Sequence, residues 1–127
     1  MSALPAKITA PFREGDREFL IALRRALHQH PELSWQERET QARLREALLR
    51  CEITDITEVA GTGLVARIPG RTKGGPIVAV RGDIDALPIT EATGHDSASK
   101  NVGVMHACGH DGHTNTGRRL PGHVQPH

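Results

Sequence analysis

Ile77-Val78-Ala79-Val80-Arg81-Gly82-Asp83-Ile84-Asp85-Ala86-Leu87-Pro88 is the stretch that decides how this chain is read. It opens on an unbroken apolar run. Such a run, following the glycines of Arg71-Thr72-Lys73-Gly74-Gly75, predicts a central strand buried on both faces. The stretch then leaves that strand through a loop with two carboxylates. In α/β sheets, functional groups gather where loops leave the carboxyl ends of strands. Asp83 and Asp85 are two apart, so extended backbone points both side chains the same way. Side by side they could bind a cation or orient a ligand. The competing reading is a solvated turn with a salt bridge to Arg81.

Upstream, the hydrophobic period is helical. Asp16 can cap a helix running to about His28, with Phe19, Leu20, Leu23 and Leu27 on one face, and Pro31 ends it. Ser34-x-x-Glu37 has the form of a capping box for a second helix. Its apolar stripe is Leu44, Ala47, Leu48 and Cys51, with Glu and Arg on the other face. Cys51 therefore reads as a packed thiol. His28 and His30 flank a helix C-terminus, where histidine serves as a cap or dipole partner. The functional alternative for them is a supporting role near a metal-bearing loop. After residue 52 the period shortens. Ile53 to Ala60 and Leu64 to Ile68 predict short strands around Gly61-Thr62-Gly63. Helices followed by such strands indicate the α/β class.

The densest chemistry lies at His106-Ala107-Cys108-Gly109-His110-Asp111-Gly112-His113. Cys108 and His110 sit two apart, and a thiolate with an imidazole suits Zn²⁺, or Mn²⁺, Co²⁺ and Ni²⁺ where carboxylates complete the set. Closed structural zinc sites use four such ligands, often as paired C-x₂-C units, and no such pair occurs here. The pattern fits an open, incomplete site. Two other readings compete: a flexible loop with incidental histidines, and a nucleophilic Cys108 activated by a nearby histidine.

Composition sets the outer bounds. The chain has 127 residues, enough for one modest domain. With 16 basic and 15 acidic residues and a net charge of +1, it points to neither nucleic acid nor a membrane surface. No apolar run approaches the roughly 20 residues of a transmembrane helix, and Met1 to Phe12 has no apolar secretory core. Two cysteines, Cys51 and Cys108, do not form a disulfide framework, so a cytoplasmic location is expected. Residues 1–15 read as a flexible leader. Residues 115–127 carry no acidic residue and no hydrophobic period, and read as an unstructured tail. His95, His123 and His127 read as solvated surface.

Taken together, the motifs resemble the metal-dependent amidohydrolases related to hippurate hydrolase, N-acyl-amino-acid hydrolases and indole-acetyl-amino-acid hydrolases. The resemblance is carried by Arg24-Arg25-Ala26-Leu27-His28-Gln29-His30-Pro31-Glu32-Leu33, by Gly61-Thr62-Gly63, by Arg81 to Ile89 with Glu91, and by Met105 to Thr114. It spans residues 16–114 and implies the N-terminal part of a zinc-exopeptidase-like catalytic domain. Two N-terminal helices followed by a mixed sheet would belong to it, with the lid domain absent. It implies two divalent ions, Mn²⁺ or Zn²⁺ with Co²⁺ or Ni²⁺ as alternatives. By position, Cys108 and His110 would be metal ligands and Asp85 the catalytic acidic residue that orients the site. Asp83, His106 and Asp111 would be the groups that steady the ligands. In such enzymes a metal-activated water attacks the amide of an N-acyl amino acid, and a glutamate acts as general base. A homo-oligomer is the expected assembly of the parent.

That glutamate, its ligand partner and the remaining histidine ligands lie downstream of the Cys-Gly-His block in the family. Here the sequence continues as Asn115-Thr116-Gly117-Arg118-Arg119 where the family has an apolar helix. The expectation is a fragment after a frameshift or truncation, inactive alone and prone to aggregate. The alternative is a non-enzymatic divalent-metal binder built on the Cys/His cluster, with His123 and His127 as added ligands.

Overall fold

The computed structural model describes residues 14–70 and 73–114. The readings of 115–127 as a tail and of most of 1–15 as a leader lie outside the described residues.

Helix α1 spans Asp16–Gln29. Leu27 on its apolar face is buried to 1% exposure, while Phe19, Leu20 and Leu23 are half-buried. The start differs from expectation. Gly15, at φ 82°, occupies the N-cap, and Asp16 is the first helical residue. Its charge sits in the first turn, at the positive end of the helix dipole. The helix stops at His30, whose N–H donates back to Leu27 O, and the buried Pro31 follows it.

Helix α2 spans Arg38–Arg50, starting later than the Ser34-x-x-Glu37 box predicts. The cap comes from elsewhere. Both oxygens of Glu32 accept from α2 backbone N–H groups, Oε2 from Thr40 at 2.7 Å and Oε1 from Glu39 at 3.2 Å. The Ser34 hydroxyl is taken by Asp85. A carboxylate carries more charge to the helix dipole than a hydroxyl does, so the exchange keeps the helix start stabilised. Cys51 is the C-cap, and its thiol donates to Ala47 O at 3.0 Å, as a packed cysteine rather than a ligand.

Strands β1 (Ile56–Val59) and β2 (Gly63–Ala66) form an antiparallel pair, with Ile56 opposite Ala66 and Val59 opposite Gly63. The pair lies against α2, where Gln41 donates to Gly63 O and Arg38 to Gly61 O. Beyond it the described residues add two isolated bridges, Leu33 with Ala86 (parallel) and Leu87 with Met105 (antiparallel). Helix α3, His110–His113, closes the described chain and packs on α1. The α/β class stands.

One element does not form. Residues 77–80 make no strand, and Ile77 is 98% and Val78 78% exposed. A strand buried on both faces needs ladder partners at its edges and layers above and below. Among the described residues neither strand of the β1–β2 pair runs beside it. The apolar run is therefore uncovered, and its sequence records a burial that the described residues do not supply.

Candidate metal centre

The Cys/His segment turns at Gly109, whose φ of 76° lies in the left-handed region that glycine enters without strain. The turn aims His110 back at the Arg81–Pro88 loop. His110 Nδ1 lies 2.9 Å from the backbone oxygen of Asp85 and 2.9 Å from its Oδ1. Both are acceptors, so Nδ1 is the nitrogen that donates, and the neutral tautomer this contact selects leaves the lone pair on Nε2. Asp85 is fixed in turn by the Ser34 hydroxyl, which donates to Oδ2 at 2.6 Å. That hydrogen bond, with smaller help from the Asp85 backbone and His110 and against the opposing effect of burial, holds the Asp85 carboxyl below its usual range. Loop and turn also meet through backbone. A Cβ added at Gly82 would stand 3.4 Å from His113 O.

Asp83 behaves differently from its twin. It pairs with Arg81 at 2.8 Å on the exposed side of the loop, the salt-bridge reading of this motif. It still borders, with Asp85 and His110, a groove of about 660 Å³ whose apolar wall includes Leu23, Leu44 and Leu48. Cys108 is exposed, is a free thiol and does not line that groove.

Behind His110 lies a second polar network. Asp111 is 1% exposed. Its Oδ2 meets His28 Nδ1 at 2.9 Å and Arg24 Nε at 3.2 Å. Arg24 and His28 are one turn apart on α1 and so share a face. The other ring nitrogen of His28 lies 3.1 Å from Glu91 Oε1. Burial pulls the His28 pKa down, but hydrogen bonds to Glu91 and Asp111, and their charges, outweigh it and leave the pKa raised. Glu91 is lowered to about 2, first by the Thr93 hydroxyl, then by the Ser99 N–H, with His28 adding to them against burial. His106 is buried beside this network, its ring centroid 6.3 Å from that of His28. Among the described residues neither of its nitrogens has a hydrogen-bond partner within normal geometry, nor has Asp111 Oδ1. Burial pulls the His106 pKa down, so its ring is neutral near pH 7.

Of the residues singled out in the sequence, then, Asp85 and His110 are brought into contact, Asp83 borders the same groove, Asp111 is anchored to α1, and Cys108 stands apart. Among the described residues, no three His, Cys, Asp or Glu side chains stand so as to hold a metal ion. The donor chemistry suits a borderline divalent ion: an imidazole with its free nitrogen fixed by a carboxylate, and an unpaired thiol two residues away. The number of donors falls short of a closed sphere. The sequence reading gave Arg24 and Glu91 no role beyond carrying the resemblance, and gave His28 only a general alternative role near the loop. The i,i+4 spacing of Arg24 and His28 was the available signal, since a buried aspartate needs a cation opposite it. Glu91 is 63 residues from His28, and no local pattern joins them.

Residues 79–117 match Peptidase family M20/M25/M40. The chain is 54% identical over 97 residues to an N-acetylcysteine deacetylase of Bacillus subtilis, covering 75% of this chain and 25% of that protein. It is 50% identical over 95 residues to an N-acyl-L-amino acid amidohydrolase of Geobacillus stearothermophilus, again covering 75% of this chain and 25% of the relative. A crystal structure of a Bacillus subtilis dinuclear metal-binding peptidase of the M20 family superposes with a TM-score of 0.77 at 47% identity, covering 85% of this chain and 32% of that one. Over the region compared, the chain is similar to peptidases and amidohydrolases of the M20 family. It spans about a quarter of the length of the curated relatives it matches.

Proposed function

We propose that this chain is the part of a metal-dependent amidohydrolase that supplies Cys108 and His110 as metal ligands, for cleavage of the amide bond of small N-acyl amino acids, hippurate-like substrates among them. The observation that carries the reading is the chain of contacts from Ser34 to Asp85 to His110, which fixes one imidazole with its lone pair on Nε2. Asp85 orients that ring and, lining the groove, is the acidic side chain placed to act on a bound substrate. Asp83 stands beside it, and His106 and Asp111 steady the turn. Two divalent ions, Mn²⁺ or Zn²⁺ with Co²⁺ and Ni²⁺ as substitutes, would supply a polarised carbonyl and an activated water when bound. Two protein donors hold an ion weakly compared with four, so the 127-residue chain does not turn over substrate by itself. In the whole protein the same segment would work in a homo-oligomer. Both cysteines are free, in keeping with a reducing cytoplasm.

Metal analysis of the pure chain tests the ligands. Bound Co²⁺ should fall sharply in Cys108→Ala and in His110→Ala, and an ion retained in both variants sinks the assignment. Hydrolysis of hippurate and of N-acetyl amino acids should stay at background. Turnover that Cys108→Ala abolishes would overturn the inactivity of the isolated chain.

A further inference from the structure

The network behind His110 joins three parts of the chain that are distant in sequence. Asp111 follows His110 directly on α3. His28 comes from α1. Glu91 comes from the loop after Pro88, where it is tied down by Thr93 and by the Ser99 N–H. Each nitrogen of the His28 ring faces a carboxylate oxygen, at 2.9 Å and 3.1 Å. A ring held this way needs an N–H on both sides, and it then ties two otherwise repelling carboxylates together. The side chains of Asp111 and Glu91 are 0% and 4% exposed, so both contacts are sheltered from water.

We propose that His28 is a positioning residue for His110, clamping Asp111 and Glu91 and so fixing the angle at which the α3 turn presents the His110 ring to Asp85. The effect passes through Asp111. Without the clamp, among the described residues the contact from the exposed Arg24 is what remains to hold that carboxylate. His110 then samples orientations in which Nδ1 leaves Asp85, and Nε2 no longer points one way. The inference rests on the reading of His110 as a ligand only for its consequence. The clamp itself is a claim about the chain without metal.

The test is nitrogen-15 spectroscopy of the histidine rings in the dilute, metal-free chain. In the unsubstituted protein His110 should show two well-separated ring nitrogens, the signature of a single tautomer protonated on Nδ1. In His28→Gln the two signals should move toward a common averaged value, while the Thr57–Val65 amides of the hairpin stay in place. Glu91→Gln is the second variant and the sharper one. Its side-chain hydrogen bonds among the described residues are to His28, Thr93 and Ser99, none of them on the α3 turn. A smaller shift of the same His110 signals in Glu91→Gln supports the relay. Unchanged His110 signals in both variants overturn it. Should His28→Gln unfold the hairpin as well, Glu91→Gln alone decides. Co²⁺ titration separates the two claims. Ordered His110 with no Co²⁺ binding removes the ligand reading and leaves the clamp, whereas Co²⁺ binding with His110 indifferent to Glu91→Gln removes the clamp and leaves the ligand.

Discussion

Asp111 and Val78 are both in the wrong place by ordinary surface statistics. The first is a carboxylate at 1% exposure, the second an aliphatic side chain at 78%. Asp111 is met by Arg24 and His28, and its burial is matched by charge. Val78 is covered by nothing among the described residues. The difference follows from how each kind of interaction is completed. A hydrogen-bonded charge is satisfied by one or two side chains at the right distance, and a short chain can bring those together. An apolar strand is satisfied only by whole layers on both sides. Leu27, Ala47 and Ala86 are the buried hydrophobic residues among those described, a small core for any domain. The site side of this molecule is therefore held largely by polar contacts, and the 77–80 run has apolar surface without a matching face among the described residues.

If that contrast is right, Asp111→Ala carries the largest cost. It leaves His28 and Glu91 sheltered without the second carboxylate, and breaking such a pair costs about 3–5 kcal/mol. Urea midpoints at neutral pH measure it. Leu27→Ala should cost about 2–3 kcal/mol, the low end for a buried leucine, because neighbours beside an open groove can relax into the space. A Leu27→Ala effect larger than that of Asp111→Ala would reverse the ranking and show that the apolar core dominates after all.

Acidity sharpens the same comparison. The His28 pKa is raised above 6.5, so its contribution is complete below that value and is lost as pH rises through the raised folded pKa. Glu91 is lowered from 4.5 to about 2, so its contribution is complete above 4.5 and is lost as pH falls through about 2. The clamp therefore favours the folded chain most between pH 4.5 and 6.5. Stability measured against pH should show both limbs, and Glu91→Gln should flatten the acid one. An acid limb unaltered by that substitution would mean that other carboxylates set it. Smaller again is the helix cap. Glu32→Ala removes both acceptors at the start of α2 and should cost about 1 kcal/mol.

The two regions were not equally legible in the sequence. The 3.6-residue period gave α1 and α2 to within a few residues, because one face of each is apolar whatever packs on it. The start of α2 was misplaced because Ser34 is engaged by Asp85, 51 residues away, and Glu32 caps instead. Local pattern cannot rank a nearby partner against a distant one. The ligand types at 106–113 were plain from chemistry, but that Asp85 reaches His110 while Asp83 turns to Arg81 is decided by tertiary placement. The run at 77–80 was read as a buried strand because hydrophobicity reports what a segment would gain from burial. Whether neighbours exist to bury it is a property of the rest of the chain.

Val78→Lys tests that last point and should have the smallest effect on folding. An exposed side chain outside any ladder gives a stability change within about 0.5 kcal/mol on substitution. Its effect should appear between molecules instead. Ile77, Val78 and Val80 form an exposed apolar segment at 98%, 78% and 50% exposure, and segments of this kind pair with other chains. Sedimentation of the unsubstituted chain should show association that grows with concentration, and Val78→Lys should reduce it at an unchanged urea midpoint. A monomer at every concentration would show that the exposed run is tolerated. A large loss of stability in Val78→Lys would mean instead that the segment is covered in solution, and the two sides of the molecule would then be more alike than their burial suggests.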